Sequence, residues 1–196
     1  LITSDEVFMQ FVLPNTVTNI GSYAFSKCSG LKTVTLPAGG TTTINTYAFS
    51  ECGSLETVTL LSAVTKLEER IFHKCSSLKA VTLPDGLKEI GNGVFSECSG
   101  LTEINLPDSV TTIGEDAFYK CSALTEIHLP DSVTSIGSSM FFGVFGDCDS
   151  LKNVTLPHNL KTIPNSMFRR CGALTEIDLP DSVTGIGSYA FSGAGL

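Results

Sequence analysis

The sequence predicts a repeat solenoid, a stack of short parallel strands wound into one coil, and three observations carry that prediction. The chain reads LTEINLPDSVTTIGEDAFYKCSA from Leu101 and begins again with LTEIHLPDSVTSIG at Leu124. The same frame starts at Phe8, Leu31, Leu55, Leu78, Leu101, Leu124, Leu151 and Leu174, a period of about 23 residues. Within each unit apolar and polar residues alternate over the first six positions, the signature of a half-buried strand. Residues 1–7 are expected to form a lead-in or partial cap, and 8–196 one domain of about eight repeats, the last incomplete.

Each unit then accounts for its own elements. In the strand, Leu101, Ile104 and Leu106 face inward while Glu103 and Asn105 face out. A proline follows at Pro14, Pro37, Pro84, Pro107, Pro130, Pro157 and Pro180, where its missing N–H ends ladder pairing and turns the chain; Leu61 replaces it once. A second inward pair, such as Val110 and Ile113, closes the next side, and Gly114 opens a turn. The following EDAFYKC stretch is expected to form one helical or 3₁₀ turn. No unit buries its apolar face alone, so neighbours must stack and align their inward residues in columns. Phe25, Phe49, Phe72, Phe95, Phe118, Phe145, Phe168 and Phe191 make the aromatic column.

Composition narrows the function classes. In 196 residues only 16% are charged and the net charge is -8, with Thr and Ser filling the polar positions. No basic stripe is present, so nucleic acid and anionic membrane are disfavoured as partners. No apolar run approaches the roughly 18 residues a spanning helix needs, and membrane insertion is not expected. The opening LITSDEVFMQ does not read as a signal peptide.

The template LxxIxLPxxVxxIgxxaFxxCxx, seen plainly in VTLPDGLKEIGNGVFSECSGLTEINLP from Val81 to Pro107, resembles the BspA-like leucine-rich repeats, also called the TpLRR class. The resemblance covers nearly the whole chain. It implies a leucine-rich repeat horseshoe or right-handed coil, with one short parallel strand per repeat and turns or short 3₁₀ or α segments opposite. It further implies a cell-surface or secreted protein of a host-associated microbe, adhesin-like, with a protein or glycan partner that is host-derived. The class supplies no shared functional residue to carry over, and no cofactor.

Seven cysteines, at 28, 52, 75, 98, 121, 148 and 171, occupy one repeat position. A column with layers about 5 Å apart suits small buried hydrophobes, so free thiols are expected rather than disulfides; zinc would want local CxxC pairs, which are absent. The TxT spacing at Thr33 with Thr35 and Thr57 with Thr59 brings an ice-binding face to mind, but later units break the register. Thr there reads as an ordinary solvated strand residue.

The outward face of the C-terminal half is the candidate binding surface: Glu103, Asn105, Asp108, Glu126, His128, Asp131, Asn153, His158, Glu176, Asp178 and Asp181. Glu103, Glu126 and Glu176 share one column, and Asp108, Asp131 and Asp181 another. Stacked carboxylates repel; splaying into water is the leading expectation, with a basic partner or Ca²⁺ as alternatives. His128 and His158 project near Asp131, but no nucleophile motif accompanies them, and neither GxSxG, GxxxxGK nor HExxH occurs. No catalytic role is expected.

One unit breaks the period, running 27 residues from Leu124 to Leu151. Met140, Phe141 and Phe142 are surplus apolar residues in a bulge opposite the strands, expected either to fold back over the core or to form a contact, including self-association. The last unit stops at SGAGL without its Cys, and the chain is expected to be a fragment of a longer surface protein.

Overall fold

The computed structural model describes residues 9–36, 38–40, 43–61 and 63–196. The lead-in 1–7, Phe8 and Pro37 lie outside the described residues. The chain winds into a parallel β-solenoid of about seven turns with two columns of short strands, numbered here in chain order. The first column holds β1 (Met9–Val12), β3 (Leu31–Leu36), β5 (Thr57–Leu60), β7 (Ala80–Thr82), β10 (Glu126–His128) and β12 (Asn153–Thr155). The alternation in sequence is the cause: in β3, Leu31, Val34 and Leu36 are buried while Lys32, Thr33 and Thr35 are partly exposed. Pairing keeps template positions together, Val34 opposite Val58 and Val58 opposite Val81.

That column is not continuous. It forms a four-stranded sheet β1-β3-β5-β7 and a separate pair β10-β12, with residues 101–107 between them outside any strand. Leu101 is fully buried there, but Ile104 and Leu106 retain 6% and 8% exposure where most of the core has none. Residues 174–180 are likewise unpaired. These two units lack the expected strand at their start and keep only a short one at Thr112–Ile113 and Gly185–Ile186. Like charges at Glu103 and Glu126 in adjacent layers act in the direction of this opening.

The second inward pair forms strands of its own, each two residues long: β2 (Asn19–Ile20), β4 (Thr43–Ile44), β6 (Lys66–Leu67), β8 (Glu89–Ile90), β9 (Thr112–Ile113), β11 (Ser135–Ile136), β13 (Thr162–Ile163) and β14 (Gly185–Ile186). In four layers a glycine after the strand extends the ladder, Gly91, Gly114, Gly137 and Gly187 donating N–H at 2.7 to 2.8 Å to the carbonyl of the preceding layer. The approach excludes a side chain: a Cβ on Gly137 would sit 2.3 Å from the Glu115 nitrogen. In the layer after the bulge this residue is Pro164, which has no N–H to give. There β11 and β13 do not pair, and a gap of about 520 Å³ opens between them.

The third side is neither helical nor 3₁₀ among the described residues; it is a run of tight turns. Positive φ recurs at two fixed positions per unit, mostly in non-glycine residues, as at Tyr23 and Lys27 (60° and 63°) or Asp116 and Lys120 (56° and 57°), with Gly93, Gly143 and Gly193 taking one of them elsewhere. Each costs roughly 1 to 3 kcal/mol in an L-residue. The compensation is visible in the hydrogen bonds, which alternate between local and interlayer. Ala24, Ser26 and Cys28 donate back within the turn, whereas Tyr23, Phe25 and Lys27 donate to Thr46, Ala48 and Ser50 of the next layer. A helix would direct every N–H along its own segment and leave the layers unjoined.

Inside, the eight Phe rings stack with centroids 5.0 to 5.8 Å apart. All seven cysteines are free. Six donate from sulfur to the Phe carbonyl of the preceding layer at 3.0 to 3.2 Å, from Cys52 to Phe25 through Cys171 to Phe145. Burial pushes the Cys98 and Cys171 thiols up to about 12. A protonated thiol is the donor those carbonyls require, and this explains why a small polar-tipped hydrophobe recurs there.

A candidate polar binding face on the C-terminal strand column

Proline and register together build the site. Pro130 and Pro157 end the strand segments of two adjacent layers, so Asp131 and His158, the next residues, emerge at equivalent places. The Asp131 carboxylate accepts from the His158 backbone N–H at 2.8 Å and from its Nδ1 at 2.9 Å. Asn159 Nδ2 donates to the Asp131 carbonyl at 3.2 Å. The His158 backbone N–H, and then its ring, hold the Asp131 carboxyl below its ordinary range. Both side chains remain open to solvent, so this is an orienting contact more than a stabilising one.

Asp108, His128, Asp131 and His158 surround a depression of about 300 Å³, floored by Pro130 and Leu156. Beside it, Glu103, Asn105, Glu126, His128 and Asn153 line a second of about 220 Å³. His128 belongs to both, because pairing of β10 with β12 sets Glu126 opposite Asn153 and His128 opposite Thr155. Eight of the eleven expected face residues therefore converge. Glu176, Asp178 and Asp181 do not; they stand exposed on the last layer, outside both depressions. On the far side of the coil, Met140, Phe141 and Phe142 are 49%, 71% and 47% exposed. The bulge does not fold back over the core. Phe142 rests on the Tyr119 ring at 4.9 Å, Ser166 Oγ donates to the Met140 carbonyl, and the Arg169 guanidinium to that of Phe141.

A family model for the BspA type leucine rich repeat region matches in six copies over residues 4–121 and 88–196. The chain belongs to the BspA-type leucine-rich repeat family. Among solved structures, the BspA-type chain resembles the leucine-rich repeat protein of T. pallidum (TpLRR), at 37% identity and a TM-score of 0.77, over 82% of this chain and 75% of that one. A leucine-rich repeat protein of Bacteroides ovatus matches at 29% identity and a TM-score of 0.73, over 84% of this chain and 50% of the other. The pneumococcal vaccine antigen PcpA, at 21% identity and a TM-score of 0.59 over 94% and 69%, shares the fold. No curated protein matches. Leucine-rich repeat proteins generally mediate protein interactions, and their fold is typically non-catalytic.

The geometry of this BspA-type face suits recognition. Among the described residues, Glu103, Asp108, Glu126, Glu176, Asp178 and Asp181 have no cation at ion-pair distance. No three His, Cys, Asp or Glu side chains among the described residues converge in a way that would hold a metal. The hydroxyl beside Asp131, Ser132 Oγ, donates to the Val110 carbonyl at 2.6 Å and serves the ladder instead of His158. Sequence reasoning missed Asp85, which occupies the template position of Asp108 and Asp131 and lines a separate depression with Val64 and Pro84. The Pro-Asp dipeptide at 84–85 was the available signal.

Proposed function

We propose that this chain is a non-catalytic binding module of an adhesin-like surface or secreted protein, and that its strand face from Glu103 to His158 holds a protein or glycan partner. The observation that carries this reading is the pair of adjoining polar depressions, rimmed by Glu103, Asp108 and Glu126 with no cation at ion-pair distance among the described residues and by Asp131 held by His158. Carboxylates, imidazoles and amides around a shallow concavity offer reversible hydrogen bonds to hydroxyls, amides and cations. Two structural neighbours support the setting: one is described as a leucine rich cell surface protein and another as a vaccine antigen. Glu176, Asp178 and Asp181 extend the same acidic face beyond the depressions and add long-range attraction for a basic partner.

The test is capture of the chain on immobilised extracellular-matrix proteins and on a glycan array, alongside a variant carrying Glu103→Gln, Asp108→Asn, Glu126→Gln and Asp131→Asn. Capture by the parent and not by the variant is the expected result. Equal capture by both removes the face from the reading. No capture at all supports the other class, a structural spacer, which the unbroken eight-ring aromatic column favours. The exposed bulge at Met140, Phe141 and Phe142 is proposed as a self-association contact. Sedimentation that shows the parent to be as monomeric as a Phe141→Ser, Phe142→Ser variant would count against it.

A further inference from the structure

The residue before each cysteine runs Lys27, Glu51, Lys74, Glu97, Lys120, Asp147, Arg170, so the sign of charge alternates with every layer. These seven residues are equivalent in three dimensions as well as in sequence. All take positive φ, between 56° and 63°. Each donates its backbone N–H to the layer that follows, Lys27 to Ser50, Glu51 to His73, Lys74 to Ser96 and so on to Arg170 and Ser192. Their side chains therefore rise from one line along the turn side of the coil. The ends of the line are in ion-pair range, Lys27 with Glu51 at 3.9 Å and Asp147 with Arg170 at 3.7 Å.

The core repeats closely from layer to layer, although one buried position runs Ala48, Ile71, Val94, Ala117, Val144, Met167. The Phe column runs through all eight units and the Cys column through the first seven, and the strand segments starting at Leu101, Leu124 and Leu174 differ at one residue, Asn105, His128 or Asp178. A layer that skipped its neighbour, or that docked into a second copy of the chain, would bury similar apolar surface and meet most of the same hydrogen-bond edges. This is the characteristic failure of repeat chains. We infer that the alternating column is a layer-parity code, which makes each layer attract its true neighbours and repel a layer two positions away, whether in its own chain or in a second copy. Each exposed pair is weak alone. The code works because a single skipped layer turns the column's attraction across the new junction into a repulsion.

The decisive comparison sets a blocked order of charge against an alternating one, with the column's net charge unchanged in the first variant and lower by two in the second. A blocked variant, Glu51→Lys, Glu97→Lys, Lys120→Glu and Arg170→Glu, reads four cations then three anions. An inverted variant exchanges every sign, Lys for Glu and each acid for Lys, and keeps the alternation. Each is refolded from denaturant at low salt over rising protein concentration, and the monomeric fraction is read by sedimentation. The blocked variant is expected to lose several-fold in monomer yield to higher-order species, while the inverted variant matches the parent. In about 1 M salt, where screening shortens to roughly 3 Å, parent and blocked variant should converge. If the blocked variant fails to fold at all, the milder exchange Glu97→Lys with Lys120→Glu carries the test and should show an intermediate loss. Monomer yield unchanged by blocking or by the milder exchange, or lost equally on inversion, overturns the proposal.

Discussion

The outward strand face differs between its two halves although the Phe column behind it does not. From β3 to β7 the ladder is continuous, Thr residues alternate outward, and charge is matched within the chain, as in Lys79 with Glu56 at 3.0 Å. From Leu101 onward the ladder is interrupted, Glu103, Asp108 and Glu126 have no cation at ion-pair distance among the described residues, and the depressions open. The Phe column passes through both halves with the same stacking. Core and face are therefore separable in this fold. A column of identical inward residues fixes the stack, and the outward positions are left free to be neutralised in one half and exposed for contact in the other.

The largest expected effect tests the sameness of the core. Phe72→Ala in one half and Phe145→Ala in the other should each cost about 3 to 5 kcal/mol in denaturant unfolding, since both rings are fully buried between two others. A difference between them larger than the usual scatter of such substitutions would mean that the break in the strand ladder reaches the core.

A smaller effect should have opposite signs in the two halves. Replacing Glu103 and Glu126 together by Gln removes a like-charge contact and should raise the thermal midpoint on the order of 1 °C at low salt. Replacing Glu56 by Gln removes the partner of Lys79 and should lower it by a similar amount. Shifts of the same sign would erase the electrostatic distinction between the halves.

Least visible in stability, but clearest in local structure, is Pro164→Gly. The restored N–H can reach the Ile136 carbonyl as its equivalents reach theirs, a gain of about 1 kcal/mol. The backbone freedom of glycine costs roughly 0.5 to 1 kcal/mol, so the midpoint should stay nearly still. Slower amide exchange at Lys161 to Ile163 is the expected reading. Unchanged exchange would mean that the bulge, and not the missing donor, holds β11 and β13 apart.

How much of this was legible in the chain follows from where each partner lies. Leu101, Phe118 and Cys121 announce the core because their period is local and repeated, and the stack must bury them. The convergence of Asp131 with His158 was visible as equal template positions, each directly after a proline. The turn side was hidden: positive φ falls on Tyr23, Lys27, Arg70 and Lys74, residues that carry no turn signal, because the reward for that geometry is a bond to the next layer. The opening at residues 101–107 was hidden for the same reason.

By itself the sequence determined the period, the inward columns, the proline that ends each strand segment and the family, because strand alternation and burial act within one unit. Only the tertiary structure decided which backbone groups join the layers, where Pro164 leaves them unjoined, and which carboxylates share a depression. Those outcomes depend on a hydrogen-bond partner one full turn of the coil away, set by register between layers and not by any residue's own neighbours.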